Sequence, residues 1–252
     1  MASSSPSPSL TLRRAELADV KEMATIFPRS FHPNSEYMRT AIPDTPIVQT
    51  WWEAVHSYSV SAPDVALYVV TASKHKEEGE HKKDKEEEEE EIIALARWRF
   101  SSSTWDSEVP CAEISRVSES TTLKPTGDLS AGTWTFLPLS PDHNEVLSKS
   151  FIGFMASARK NHVCNRAHII IELVACAHEF KGLGAGRILV EQCIREADQR
   201  GMEVFVETNG PIGKFYEKFG FMERERVGMP GGMGYEEIIL VRPVWGRAED
   251  GD

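Results

Sequence analysis

Cys176-Ala-His-Glu-Phe-Lys-Gly-Leu-Gly-Ala-Gly-Arg-Ile-Leu-Val190 is the stretch that decides the fold of this chain. It reads as the end of a buried strand, a glycine-rich turn and the start of an amphipathic helix. The residues in front, Ala167-His-Ile-Ile-Ile-Glu-Leu-Val-Ala-Cys176, are nearly continuous in apolar and largely β-branched types, as in a strand covered on both faces. Behind the turn, Leu189, Val190, Cys193, Ile194 and Ala197 recur at helical period among Glu191, Arg195, Glu196 and Asp198, and Gly201 stands where a C-terminal cap belongs. Gly182, Gly184 and Gly186 alternate with other residues, so the main chain can approach a ligand without intervening Cβ atoms. Several N–H groups then point at one spot where the helix dipole adds partial positive charge, which suits a phosphate or pyrophosphate. The same glycines also suit a tight strand-to-helix turn that needs them only for its dihedrals.

Two common phosphate-binding schemes fit poorly. A dinucleotide fold places G-x-G-x-x-G after its first strand and continues into a long parallel sheet. Here the glycines lie at 182–186 of 252 residues, too late for such a sheet. A P-loop needs Lys and then Ser or Thr after its glycines, and Arg187-Ile188 stands there.

Lys181-Gly-Leu-Gly-Ala-Gly186 resembles the Q/R-x-x-G-x-G/A motif of the GNAT superfamily of acetyl-CoA-dependent N-acetyltransferases, with Lys181 keeping the positive charge of the Arg variants. Leu173-Val-Ala-Cys-Ala-His-Glu-Phe180 is similar to the L-L-A-V-x-P-E-Y run that precedes it, with His178 in place of the proline. Asn209-Gly-Pro-Ile-Gly-Lys-Phe-Tyr-Glu-Lys-Phe-Gly-Phe221 resembles the second signature, N-x-x-x-x-x-x-Y-x-K-x-G-F. The resemblance is firm over 165–226 and weaker over 10–100, and the style of the sequence is similar to fungal members. It implies an acyl-CoA N-acyltransferase fold with a central mixed sheet of about six or seven strands flanked by helices.

A chain of 252 residues can bury a core that needs no disulfide or metal staple. Cys111, Cys164, Cys176 and Cys193 show no C-x-x-C spacing and read as reduced thiols of a cytoplasmic or nuclear protein. The Ser/Pro-rich residues 1–9 have neither an apolar region nor an arginine, so a flexible tail is expected rather than a leader. No run approaches membrane-spanning length. A net charge of −11 argues against nucleic acid and favours a cationic substrate. Residues 74–91 hold ten acidic and five basic side chains and are expected to be a solvated, disordered loop, or bait for a basic protein. The Ser/Thr/Pro/Asp-rich stretch 101–146 is expected to be a loop-rich insertion around the acceptor site, and 246–252 a second flexible tail. One domain spans 10–245.

The coarse order is a strand over 10–14, helices over 18–27 and 47–58, and an antiparallel strand pair over 66–71 and 92–100. A helix over 147–160 precedes the central strand and the motif helix. A strand over 203–207, a helix over 211–219 and strands over 223–227 and 235–241 follow. Strands and helices so ordered around one long strand give an α+β, or mixed α/β, layered architecture.

The resemblance supplies roles for the site. The amides of Gly182, Leu183, Gly184, Ala185, Gly186 and Arg187 are expected to hold the coenzyme A pyrophosphate, with Lys181 and Arg187 adding charge. Main-chain groups of Ala175, Cys176 and Ala177 are expected to pair with the pantetheine arm as if it were a strand, in a V-shaped gap beside the strand at 203–207. Tyr216, seven residues after Asn209, is expected to donate a proton to the departing thiolate or to pack among Phe215, Phe219 and Phe221. A thiol near pKa ~8.5 and a phenol near ~10 make that transfer uphill by only about 2 kcal/mol. Glu172 is the charged residue in the Ile169–Cys176 run. It either lines a wet cleft as general base or pairs with Arg97 or Arg99. Glu207 is a weaker candidate in the same gap, and His178 a shuttle or a structural loop residue. Asn209 caps the next helix, where Asn-Gly-Pro is a start signal, and also stands to touch the cofactor. Trp51, Trp52 and Trp98 either line an acceptor pocket or fill the core. The eight histidines show no ligand spacing, so no metal is expected.

The expected activity is transfer of acetyl from acetyl-CoA to a primary amine, small and cationic, by direct attack in a ternary complex. No cysteine stands beside a base as a nucleophile would. Lysine or N-terminal acetylation of proteins, a non-catalytic acyl-CoA sensor, or a scaffold built on the acidic stretch are the alternatives. A monomer or homodimer without membrane or nucleic-acid partners is expected.

Overall fold

The structure, a computed structural model, describes residues 8–73, 90–101, 138–163 and 166–244. Residues 74–89 of the acidic stretch, 102–137 of the insertion, 1–7 and 245–252 of the tails, Cys111 and Cys164 lie outside the described residues, whereas Glu90 and Glu91, expected in the acidic loop, are strand residues paired with Ser73 and Ala72.

Among the described residues seven strands form one mixed sheet: β1 (Leu10–Arg14), β2 (Val65–Ser73), β3 (Glu90–Ser101), β4 (His168–Cys176), β5 (Glu203–Asn209), β6 (Met222–Gly228) and β7 (Glu236–Arg242). Their order is β1-β2-β3-β4-β5-β7-β6. Among the described strands only β4 and β5 pair in parallel, and every other neighbour is antiparallel. The parallel step needs a crossover, and α5 (Ala185–Arg200) supplies it. It starts at Gly184 with φ +93° and ends at Gly201 with φ +61°. Both angles lie in the left-handed region that costs a side chain most, which is why glycine stands there.

Two helical layers cover the sheet. On one face α5 and α6 (Gly210–Glu217) close a core of Ala94, Trp98, Ile169, Ile171, Leu189, Cys193, Val206 and Ile238. The other face carries α1 (Val20–Phe31), α2 (Glu36–Ala41), α3 (Pro46–Ser61) and α4 (Glu145–His162). Phe27, Trp51 and Trp52 pack there on Leu67, Leu95 and Ala175, while Ala158 meets Ile170, Phe205 and Ile239. Strand alternation sends successive residues to the two layers, as the apolar runs predict.

Two elements differ from the sequence expectation. Helix α1 does not stop at Phe27: it runs through Pro28 to Phe31, with Met23, Ile26 and Phe27 buried against the sheet. Packing of that face outweighs the one hydrogen bond that proline cannot donate. Helix α2 has too few turns for a periodic signal; the Ser35 hydroxyl caps it by accepting from the Met38 amide at 3.1 Å.

Candidate functional site

The site is a split in the sheet between its two parallel strands. Pairing of β4 with β5 runs from His168–Glu203 to Ile171–Val206 and stops, although β4 continues to Cys176 and β5 to Asn209. Beyond that point β4 keeps pairing with β3, and β5 with β7. The split begins at a bulge. Along β3, Arg97 and Trp98 are consecutive, yet their partners on β4 are Leu173 and Ile171, which leaves Glu172 as the extra residue. A bulge bends its strand and breaks the ladder locally. Glu172 and Glu207 are half-exposed as residues but their side chains are only 2% and 4% exposed. Their main chains therefore form the open edges of the split.

A cleft of about 1060 Å³ occupies this split and continues to the start of α5. That exceeds the usual volume of a pocket for one small ligand, so a long thin cofactor arm and an acceptor both fit. At one end the cleft is lined by Lys181, Gly182, Gly184, Ala185, Gly186 and Arg187. The first N–H groups of a helix have no intrahelical partner, and no side chain among the described residues caps α5. Gly182 also has a left-handed φ, +90°. A Cβ on Gly186 would stand 3.3 Å from the Cys176 sulfur and 3.9 Å from the Phe215 ring, so glycine lets α5 lie close on β4. Lys181 is exposed and has no ion-pair partner among the described residues, whereas Arg187 pairs with Glu191 at 2.7 Å. This end is built to receive an anion of the size of a diphosphate.

Three expected contributors are placed elsewhere. Ala175 and Ala177 are buried, and Leu183 points outward; none of them lines the cleft. The Ala177 N–H is taken, donating to the Ile93 carbonyl at 2.9 Å, and its carbonyl accepts from the Phe180 amide at 3.0 Å. Of the three residues assigned to the pantetheine arm only Cys176 reaches the cleft, and its N–H already donates to the Ser30 hydroxyl at 3.1 Å. Ser30 lies on the turn of α1 beyond Pro28, so the longer helix brings a cleft residue that the sequence left out.

Tyr216 combines both of its expected roles. Its ring packs edge-on against Phe215 and Phe221, with centroids 5.2 and 5.3 Å apart, yet it lines the cleft from α6. Burial pushes its phenol above the usual value, with the neighbouring Cys176 and Cys193 adding to the shift. Burial likewise pushes the Cys176 thiol up to about 11. A thiol held neutral is no nucleophile, and buried Cys193 is raised too. Asn209 lines the cleft while its side-chain oxygen caps α6, accepting from the Ile212 amide at 3.2 Å.

Glu172 takes the ion-pair alternative, and with both arginines. Its carboxylate meets Arg97 at 2.8 Å and Arg99 at 3.0 Å, and Arg99 also binds Asp64. Burial raises its pKa, but the two guanidiniums outweigh that and hold it below the usual carboxylate value. So clamped, it is a poor acceptor of protons. Its neighbours on the same sheet face are different. Glu207 on β5 is hydrogen-bonded by Arg159 of α4 at 3.0 Å, and burial, only partly offset by Arg159, pushes it up to about 7. Glu237 on β7 is 2% exposed; burial pushes it up to about 8, with Glu207 adding and the Tyr235 hydroxyl bond at 2.7 Å opposing. Both glutamates line the cleft. Sequence reading passed over Glu237, although in Glu236-Glu-Ile-Ile-Leu-Val241 it shares its phase with Ile239 and Val241, which face the core.

Trp51 and Trp52 are core residues that also line the cleft; Trp98 stacks on Tyr68 on the far face and does not. His178 lies outside the cleft with Asn34 at 3.2 Å, the structural reading. No group of three or more His, Cys, Asp or Glu side chains is placed to hold a metal among the described residues.

Residues 126–221 match the model of the Acetyltransferase (GNAT) family. That match takes in the glycine turn, Tyr216 and the Asn209 signature. Solved structures with the same fold include a mosquito arylalkylamine N-acetyltransferase like 5b, 11% identical over 93% of this chain and 99% of that one, with a TM-score of 0.55. An agmatine N-acetyltransferase in its apo form is 12% identical over 92% and 98%, also at 0.55. Arabidopsis thaliana NAA60 in complex with a bisubstrate analogue is 10% identical over 95% and 100%, at 0.50. At such identities the likeness concerns the fold. No curated protein sequence matches this chain.

Proposed function

We propose that this protein is a GNAT-type, acetyl-CoA-dependent N-acetyltransferase whose acceptor is the primary amine of a small molecule. The observation that carries the reading is the continuity of one cleft. It runs from the uncapped start of α5, through the split between β4 and β5, to the buried carboxylates of Glu207 and Glu237. The diphosphate would rest on the amides from Gly184 to Arg187 with Lys181 beside it. The pantetheine arm would follow the open edges of β4 and β5 past Cys176. The thioester would then lie in the split, with Tyr216 on the α6 side and the carboxylates on the α4 side.

The described cysteines support direct attack. Cys176 and Cys193 are held as neutral thiols, so an acetyl-enzyme has no nucleophile among the described cysteines. As the tetrahedral adduct collapses and the C–S bond breaks, the Tyr216 hydroxyl supplies a proton or hydrogen bond to the thiolate sulfur. Walls from α2, α3 and α4, including Tyr37, Trp51 and Phe151, favour a compact acceptor. The test is thiol release from acetyl-CoA with a panel of small amines and of lysine-bearing peptides. Turnover on small amines supports the proposal. Tight coenzyme binding without turnover on any acceptor overturns it in favour of a sensor, and turnover on peptides alone overturns the choice of acceptor.

A further inference from the structure

A row of ionisable side chains crosses the α4 face of the sheet where it splits: Arg97 and Arg99 on β3, Glu172 on β4, Glu207 on β5 and Glu237 on β7. Most of the row is neutralised internally. Glu172 holds Arg97 and Arg99, Asp64 shares Arg99, and Arg159 holds Glu207. Glu237 has no such cation among the described residues. Its Oε1 accepts from the Tyr235 hydroxyl at 2.7 Å, while its Oε2 is buried without a hydrogen-bond partner there, as is Oε1 of Glu207. An orphaned acceptor so deep is costly unless something occupies it.

The surroundings of Glu237 can be named element by element. On β5 its register partner is Asn209; Glu207 lies two residues along, opposite Ile239, close enough for its charge to act on Glu237, and Arg159 of α4 holds Glu207. Helix α2 brings the Tyr37 phenol, whose ring stacks on Tyr235 with centroids 4.6 Å apart. On β6, Val227 stands opposite, Arg226 is spent on Glu223 and Glu236, and Glu225 pairs with His162 of α4. Helix α6 covers the reverse face, with Gly210 and Gly213 against Ile238.

We infer that Glu237, with Glu207 beside it, is the seat of the acceptor's ammonium group and that the Glu237 carboxylate removes its proton, which makes alkylammonium ions the substrate class. The inference rests on the transferase reading above. An ammonium brings three donors and one positive charge to a place that lacks both. The proton passes from nitrogen to Oε2 of Glu237, and the freed lone pair attacks the thioester carbonyl carbon from the α4 side. The tetrahedral adduct collapses with loss of the thiolate, and the second nitrogen proton balances the proton that the thiolate takes up. Glu237 then returns its proton to water. Per turnover, ammonium and acetyl thioester give amide, thiol and one released proton.

The experiment compares wild type with Glu237→Gln, using n-butylamine and 2,2-difluoroethylamine, the second largely uncharged at pH 8. Wild-type kcat/KM for butylamine should rise with a limb near pH 8, where Glu237 ionises. In Glu237→Gln it should fall about 100-fold or more at pH 7.5. Its remaining rate should follow the amine's own ionisation, about 10.4 for a lysine-like ammonium. Difluoroethylamine, which needs no base, should keep a rate within about 10-fold of wild type, an outcome that general damage to the fold would not give. A variant with the wild-type profile on butylamine overturns the inference and leaves the transferase reading standing. So does a wild-type limb that tracks the amine alone, a result that needs no variant. Wild type that binds acetyl-CoA by calorimetry yet acetylates neither amine overturns both.

Discussion

Glu237→Gln should stabilise the protein in a pH-dependent way, independently of any effect on turnover. The native carboxyl is pushed from 4.5 up to about 8, chiefly by burial. Between those two values the folded chain keeps a proton that the unfolded chain has lost. The folded state binds more protons, so stability must fall as pH rises through this window. Each unit corresponds to about 1.4 kcal/mol, and a full ionisation at pH 8 would cost about 5 kcal/mol. Glu207, raised to about 7, titrates in the same range, and the two carboxyls share the effect. Glutamine keeps the shape and the contact with Tyr235 without a charge to bury. The expected gain at pH 8 is therefore about 2–4 kcal/mol, shrinking toward zero near pH 5. Urea unfolding of both proteins at pH 5, 6, 7 and 8 measures it directly. A stability difference that stays constant across that range, or that grows toward acid, refutes the reasoning. The trade is the one expected of a site: a group that is costly to the fold is retained for what it binds.

Glu172→Gln should behave in the opposite sense: it removes one side of two buried ion pairs, leaves Arg97 and Arg99 underpaired, and should lower stability by about 3–5 kcal/mol. Its pH–rate profile should keep the wild-type shape, and a shifted profile in a stably folded variant would restore Glu172 as the base. Tyr216→Phe should lower kcat by about 10- to 100-fold while leaving acetyl-CoA affinity and melting temperature near wild type; an unchanged kcat removes the phenol from the mechanism.

Much of this was legible in the sequence because its signals are local. Strand β4, the glycine turn, the helix to Gly201 and the Asn209 cap are each written within a few residues, and the structure places them as read. The antiparallel pair flanking the acidic loop was equally plain. What stayed hidden depends on contacts between distant segments. The bulge at Glu172 is invisible inside a run of apolar residues, because a register shift appears only against the partner strand. Whether Glu172 is a base or an ion-pair partner depends on which face that bulge presents to Arg97 and Arg99. The passage of α1 through Pro28 follows from packing on the sheet rather than from propensity. The hydrogen bonds of Ala177 to Ile93 and Phe180 were equally hidden, because the antiparallel register and the turn set them. Glu237 was readable in principle: a carboxylate in the inward phase of a strand signals either a partner or a purpose.

The account stands on the grip of α5 on a diphosphate, and isothermal calorimetry of coenzyme A binding to Gly184→Val and Gly186→Val tests it most directly. Valine at 184 must adopt a φ of +93°, and at 186 its Cβ falls 3.3 Å from the Cys176 sulfur, so both should pull the helix start away from the ligand. Loss of one or two charge-assisted hydrogen bonds, about 3 kcal/mol, predicts an affinity about 100-fold weaker in variants whose circular dichroism remains native. Wild-type affinity in both folded variants would contradict the account.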